Sequence, residues 1–537
     1  MPFCSSPVGH NPKRAALHEC IDSNGREHEL LARLIGYNTQ NVGQLYTPIK
    51  DVAQFGDIDT LANLIKNFKD KLYHTHVFPR SLIIRNDHIF INGHEYDTVE
   101  IINNLISLTK TGLQNYSKAV KSWLDADGHG VNCDEKKAIL AKMFDKSKVA
   151  VIRGSAGTGK STLINHLSNF FSEHQKLLLA HTNPAVDNLK RKVKASNCTF
   201  NTITKFVKTK NISTDYPILI IDECSTVNNC DMHAVLRKAH FQVLVLVGDV
   251  FQIESIEFGN WFSVLDGFIK DSIFELNKPY RCKNKNLLLL WNRVRNMDDA
   301  ILEVLTKQRF STTLDSSIFE AVRDNEIILC LNYDGLYGIN NINRFLQAAN
   351  PSKAVTWGIQ VYKINDPILF NGTERFAPVI YNNMKGRIVG IKILERQIQF
   401  DIELDKILNG MDAEGSDFEL LSDVSNVNSV IRFTVDKYES TDEDDGPSTT
   451  EVPFQVAYAV SIHKAQGLEY DSVKIIISEE VDDFITHSIF YTAITRAREN
   501  LKIYWTPEVE NKVLSTIKPK NYSRDYSLLK LQVNQNF

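Results

Sequence analysis

The run VAVIRGSAGTGKSTLINHL, Val149 to Leu167, restricts this chain more than any other stretch. A β-branched segment stops at a glycine turn, and Lys-Ser-Thr then opens an amphipathic segment. Gly154, Gly157 and Gly159 clear side chains from where backbone N–H groups must turn inward around a phosphate, with Thr158 between them. Lys160 would reach the β and γ oxygens. Ser161, followed by Thr162 in the same first helical turn, would place its hydroxyl on Mg²⁺. The pattern is complete and sits between a strand and a helix, so ATP and Mg²⁺ are the expected cofactors.

The surrounding pattern is α/β. From 149 to 247 short runs such as VAVIRG, LLLAHT, YPILIIDE and QVLVLVGD alternate with helical stretches, which predicts a parallel sheet with functional residues at the carboxyl ends of its strands. Alternation resumes at 326–346 and again after 452. Between them, 355–438 is strand-like with turn residues, and predicts a small β-barrel. The acidic ESTDEDDGPSTTE, 439–451, is a solvated linker. Residues 1–125 mix helical periodicity with a hairpin turning at Asn86-Asp87 and carry no recognisable chemistry. The expected division is therefore 1–125, a first nucleotide domain 126–277, a second domain begun at 278–354, interrupted by 355–451, and completed by 452–537.

Two further elements complete a hydrolase. YPILIIDECS delivers Asp222 to hold Mg²⁺ and Glu223 to activate the attacking water. LVLVGDVFQ places Gln252 at another strand end, where a neutral amide senses the γ-phosphate or simply caps a turn. Arg281 in LNKPYR and Arg496 in TAITRAR would neutralise charge on the transferring phosphoryl group, although a lone arginine more often makes a surface ion pair.

Taken in order, GSAGTGKST, HTNPAVDNL, IIDECS, VGDVFQIESI, LNKPYR, SIHKAQGLEYDSV and YTAITRAR resemble the motif series of superfamily 1 helicases, and DECS with HKAQGLE is similar to their RecD-type branch. The resemblance implies two RecA-like domains and an SH3-like barrel inserted in the second, behind the α+β region that the residues of 1–125 predict. It implies movement 5′ to 3′ along single-stranded nucleic acid, DNA ahead of RNA, although HTNPAVDNL resembles instead the branch containing RNA-decay helicases, which leaves DNA against RNA open. Gly467 and Glu469 would join the nucleotide contacts. Thr182, Asn183, Thr202, Lys205, His463 and Lys464 would grip the strand backbone, which holds phosphates without reading sequence. Trp261 or Phe262 in FGNWF would stack on a base, or else pack in the core. Two departures stand out. Glu135 replaces the glutamine that reads adenine in many relatives, and a carboxylate accepts but does not donate. The short interval between TKF and YPILIIDE leaves little room for a strand-separating hairpin.

Other classes recede. With 61 basic and 65 acidic residues the net charge is −4, so a nucleic-acid site must be a local groove. Eight scattered cysteines without a CxxC pair suggest free thiols in a reducing cytoplasm, and no apolar run is long enough for a membrane span. DADGHGVNCDEK begins like a calcium loop but ends on Lys136 where a glutamate is needed. His166 and His240 lack a ligand pattern. A small-molecule kinase shares the phosphate loop but needs no second domain. A nucleotide-gated clamp that binds without moving uses the same motifs, and residues 1–125 are the expected seat of a protein partner.

Overall fold

A computed structural model describes residues 24–126, 129–131, 133–280, 282–320, 325–377, 379–421, 428–437, 449–481, 485–518 and 520–533. They form two compact units, one made of 24–283 with 518–533, the other of 284–517.

The first unit is organised by a six-stranded, wholly parallel sheet. Its order is Cys198–Thr202, Lys176–Ala180, Ile218–Ile221, Val243–Gly248, Val149–Gly154, Ile273–Leu276. The four central strands are buried along their entire length. That is why they read as continuous apolar runs rather than alternating ones: helices cover both faces. Ala150, Ile152 and Leu178 pack with Leu163, Leu167 and Leu189 of the helices Lys160–Phe170 and Asn183–Lys192. Val149, Val151 and Leu177 pack on the opposite face with Met232 and Val235 of Asn229–Lys238, and with Ile101 and Leu105 of Asn92–Thr109.

The last of these helices belongs to the N-terminal stretch, so residues 92–109 complete the core of the nucleotide domain. Ahead of it, Thr47–Pro48, His88–Ile91 and Leu82–Arg85 make a small antiparallel sheet with its own cluster around Leu31, Ile35, Val52 and Ile89. Asn86 and Asp87 turn its hairpin at φ +50° and +58°, the left-handed pair that a two-residue turn matching strand twist requires.

In the second unit five parallel strands lie in the order Ser311–Thr312, Ala497–Tyr504, Tyr470–Ile476, Glu326–Cys330, Ala459–Ser461. Between the last two in space, the chain leaves to build a hairpin, Val355–Trp357 with Gln360–Tyr362, and a six-stranded antiparallel sheet running from Glu419–Leu421 to Phe454–Val456. Phe370, Phe376, Phe400, Phe433 and Phe454 fill that insert with its own aromatic core. Most of the acidic linker falls outside the described residues, as do Arg281 and Asp127. Residues 518–533, expected to stay with the last segment, pack instead with the first unit.

Candidate nucleotide site

Strand order gathers the site. Ile218–Ile221, Val243–Gly248 and Val149–Gly154 are consecutive neighbours, all pointing the same way. Their carboxyl ends therefore carry Asp222-Glu223, Asp249–Gln252 and the glycine loop side by side. Gly157 and Gly159 have φ +78° and +84°, and a Cβ on Gly154 would lie 2.6 Å from Thr158 Oγ1 and 2.8 Å from the Leu276 carbonyl. The loop is thus a cradle that only glycine permits. Lys160 opens the following helix and donates to the carbonyls of Gly154 and Ser155 at 2.7 and 3.1 Å, which holds its ammonium over the loop. Ser161 is half-buried beside it, and Thr162 is exposed.

Asp222 is buried, and its Oδ1 accepts the Glu223 N–H at 2.9 Å. Burial pushes its carboxyl above the usual range, while that N–H and the Lys160 ammonium pull it back down. A cation here would restore the carboxylate. Together with the glycine cradle, the donor set of Asp222 and Ser161 hydroxyl suits oxygen-seeking Mg²⁺. Glu223 sits at φ +54°, a left-handed conformation costing a non-glycine residue about 1–2 kcal/mol, and strain of that kind gathers at functional sites. Gln252 lies 3.4 Å from Asp249 Oδ2 through its amide nitrogen, and its N–H bonds the Asp249 carbonyl at 3.2 Å. Asp249 therefore both turns the chain and holds the amide.

Glu135 is close by. Its Oε1 accepts the Asn277 N–H at 2.9 Å, while Oε2 is buried without a protein partner. Lys136, the residue that spoils the calcium pattern, is buried 4.4 Å over the Tyr280 ring, and its ammonium occupies the space above Gly159.

The strand-gripping candidates of the first unit lie further along the same sheet edge. Thr182 and Thr202 follow neighbouring strands paired at Ala180 and Thr202, and each caps a helix, accepting from Ala185 N–H at 3.3 Å and Lys205 N–H at 3.2 Å. Asn183 and Lys205 are exposed beside them. Trp261 and Phe262 are 0% and 1% exposed, and the Trp261 indole donates to the Val227 carbonyl at 2.8 Å. Base stacking on either is excluded, and the core alternative holds, because both fill the face beneath the sheet.

In the second unit His463 and Lys464 follow the carboxyl end of Ala459–Ser461; His463 is exposed and Lys464 Nζ donates to Gln455 Oε1 at 2.8 Å. Gly467, Glu469 and Arg496 do not share that edge. They precede Tyr470–Ile476 and Ala497–Tyr504, at the amino ends of those strands. The expectation that all motifs collect at carboxyl ends is corrected here, because the segment after Ala459–Ser461 returns across the sheet before the next parallel strand begins. Arg496 ties this corner together, donating to the carbonyls of Thr492 and Leu468 at 2.9 and 3.2 Å, while Arg498 pairs with Glu469 at 3.0 Å.

A glycine cradle, an acidic strand end and a half-buried lysine on one parallel sheet define a P-loop nucleoside triphosphatase of RecA-like architecture. Two family models match the chain, an AAA domain over residues 132–314 and a UvrD-like helicase C-terminal domain over 456–504. RecBCD enzyme subunit RecD of Buchnera aphidicola is 24% identical over 454 residues, covering 70% of this chain and 68% of that protein. ATP-dependent DNA helicase Pif1 of Campylobacter jejuni is 25% identical over 442 residues, covering 68% and 92%. The chain spans only 37% of another relative, the uncharacterised MJ1519 of Methanocaldococcus jannaschii, 23% identical over 450 residues and 68% of this chain. The solved Pif1 helicase of Candida albicans aligns at TM-score 0.45 and 17% identity, covering 76% of this chain and 100% of that one. The chain is thus similar to superfamily 1 helicases, and among them to the RecD-like group.

Proposed function

We propose that this protein is an ATP-driven motor that moves 5′ to 3′ along single-stranded nucleic acid, DNA in preference to RNA. The observation that carries the reading is the alignment of three neighbouring strand ends, which puts Lys160, Asp222, Glu223 and Gln252 on one edge with Thr182 and Thr202 further along it. An edge that holds phosphates at one end and candidate strand grips at the other is suited to coupling hydrolysis with strand contact. The relative named ATP-dependent DNA helicase Pif1 supports a DNA substrate.

In the reaction Gly154, Gly157, Thr158, Gly159 and Thr162 cradle the phosphates through backbone and side-chain donors. Ser161 and Asp222 would hold Mg²⁺, which when bound offsets charge on the β and γ oxygens. Glu223 takes the proton of the attacking water. Lys160 and Gln252 stabilise the γ-phosphoryl group, Arg281 and Arg496 supply further positive charge to it, and Gly467 and Glu469 complete the nucleotide contacts. Asn183, Lys205, His463 and Lys464 join the two threonines in holding the strand. The antiparallel insert is read as an SH3-like barrel, the N-terminal residues as the seat of a protein partner, and the cytoplasm as the location. Among the described residues no helix is long and apolar enough to cross a membrane.

The test is ATP hydrolysis alone and with single-stranded DNA, single-stranded RNA or duplex, with Lys160→Ala as control. Stimulation by single-stranded DNA, lost in the variant, is expected. Equal turnover in all conditions would favour the nucleotide-gated clamp.

A further inference from the structure

Between Gly248 and Trp261 the chain has neither helix nor strand, yet this stretch carries Gln252. Irregular backbone without a ladder of its own depends for its position on the contacts and bonds made to it. Asn228 and Asn229 supply some of these bonds, to Glu257, the Phe258 carbonyl and Asn260, and the far C-terminus supplies others. Glu254, two residues beyond Gln252, pairs with Lys520 and accepts the Tyr522 phenol. At the other end of the stretch, Asn260 Nδ2 donates to the Asp525 carboxylate at 3.0 Å. Asp525 is 2% exposed and also takes the N–H groups of Leu45 and Tyr46, at 2.9 and 3.3 Å, so it is firmly anchored.

The network continues to the acidic motif. Asn260 Oδ1 accepts from Asn229 Nδ2 at 3.2 Å, and Asn229 Oδ1 accepts the Trp261 N–H at 3.3 Å. Asn229 opens the helix that follows Cys224–Thr226, the short turn directly after Glu223. One C-terminal segment is therefore bonded to the Gln252 loop directly and to the loop of Asp222 and Glu223 through two asparagines. That segment is the chain's return from the second unit, which ends at Ile517.

We infer that residues 520–525 are a positioning strap: Glu254, held by Lys520 and Tyr522, fixes the loop that presents Gln252 to the γ-phosphate, and so sets the rate of hydrolysis. Lys520 and Tyr522 are positioning residues, not catalytic ones. The inference rests on the proposed nucleotide reading of Gln252. It adds a covalent route by which a displacement at residue 517 reaches the catalytic loop.

The experiment uses the full chain with Glu254→Gln, Tyr522→Phe and both together. Each change removes a charge or one hydroxyl and leaves the packing volume nearly intact. Steady-state hydrolysis is measured over a range of ATP with single-stranded DNA, alongside thermal midpoints. Each single variant is expected to lower kcat about five- to tenfold, with KM for ATP within about twofold, and the double variant to be no worse than the weaker single, since the changes break one shared contact. An active wild type with both variants unchanged overturns the strap. So does a loss of kcat that tracks a falling thermal midpoint and a rising KM, because that is what a merely structural tail gives. An inactive wild type overturns the proposed function, and the strap's role with it.

Discussion

Glu223 illustrates how the site separates binding from chemistry. Its left-handed backbone directly follows the buried Asp222, and the proposed function gives the two acids different tasks. Glu223→Gln keeps the shape and removes the base, so turnover should fall by about 10²–10⁴-fold while nucleotide binding, followed by a fluorescent ATP analogue, stays within a few-fold. Equal losses of binding and turnover would instead make Glu223 a phosphate or metal contact. Asp525 gives a pH prediction. Burial raises its carboxyl to about 6, so the folded chain binds a proton more readily than the unfolded one. Its contribution to stability is full below the ordinary carboxylate range and is lost as pH rises through about 6, by at most about 3 kcal/mol. Asp525→Asn lacks this dependence. The stability difference between wild type and variant should thus move in the variant's favour from pH 5 to pH 8, as read by denaturant unfolding. A parallel pair of curves would show that Asp525 does not titrate there. These residues were unequally visible in the chain. The phosphate loop is contiguous, and its glycines announce their backbone angles. Nothing near Asp525 in sequence announces partners at Leu45 and Asn260.

At the scale of elements, Thr182 and Thr202 are already occupied as helix caps, which raises the question of whether they also hold a strand. Two substitutions separate the roles. Thr182→Ala removes the cap and should cost about 1 kcal/mol of stability as well as strand affinity. Thr182→Asp keeps a good cap but sets a negative charge against the strand phosphates, so stability should hold while affinity for single-stranded DNA falls. Affinity unchanged by the aspartate would leave Thr182 a cap alone. The alternation of strand and helix made both parallel sheets legible, and their continuous apolar runs followed from burial on two sides. Strand order was not legible, and it decided the rest. It placed the acidic, glutamine and glycine loops together, and it sent Arg496 and Glu469 to amino ends. The helix Asn92–Thr109 also escaped, because its apolar face fits a sheet that begins at Val149. Removing residues 1–125 would therefore expose Val149, Val151 and Leu177. A shorter deletion ending before 92 is the better test of a partner site.

The whole molecule is two parallel-sheet units joined by a chain that crosses between them at 283–284 and returns at 517–518. The net charge of −4 leaves strand binding to local groups rather than to a general field. The second crossing was hidden in the sequence, since Tyr522 and Glu254 are 268 positions apart. A single-turnover translocation assay tests the proposed directional movement most directly. Protein is loaded on oligodeoxythymidylates of increasing length carrying a fluorophore at either the 5′ or the 3′ end, and ATP is added with a trap for released protein. The account predicts a lag that grows with length for the 3′ label, none for the 5′ label, and neither signal for Lys160→Ala. A length-dependent lag at the 5′ label, or ATP hydrolysis with no length dependence at either end, would contradict it.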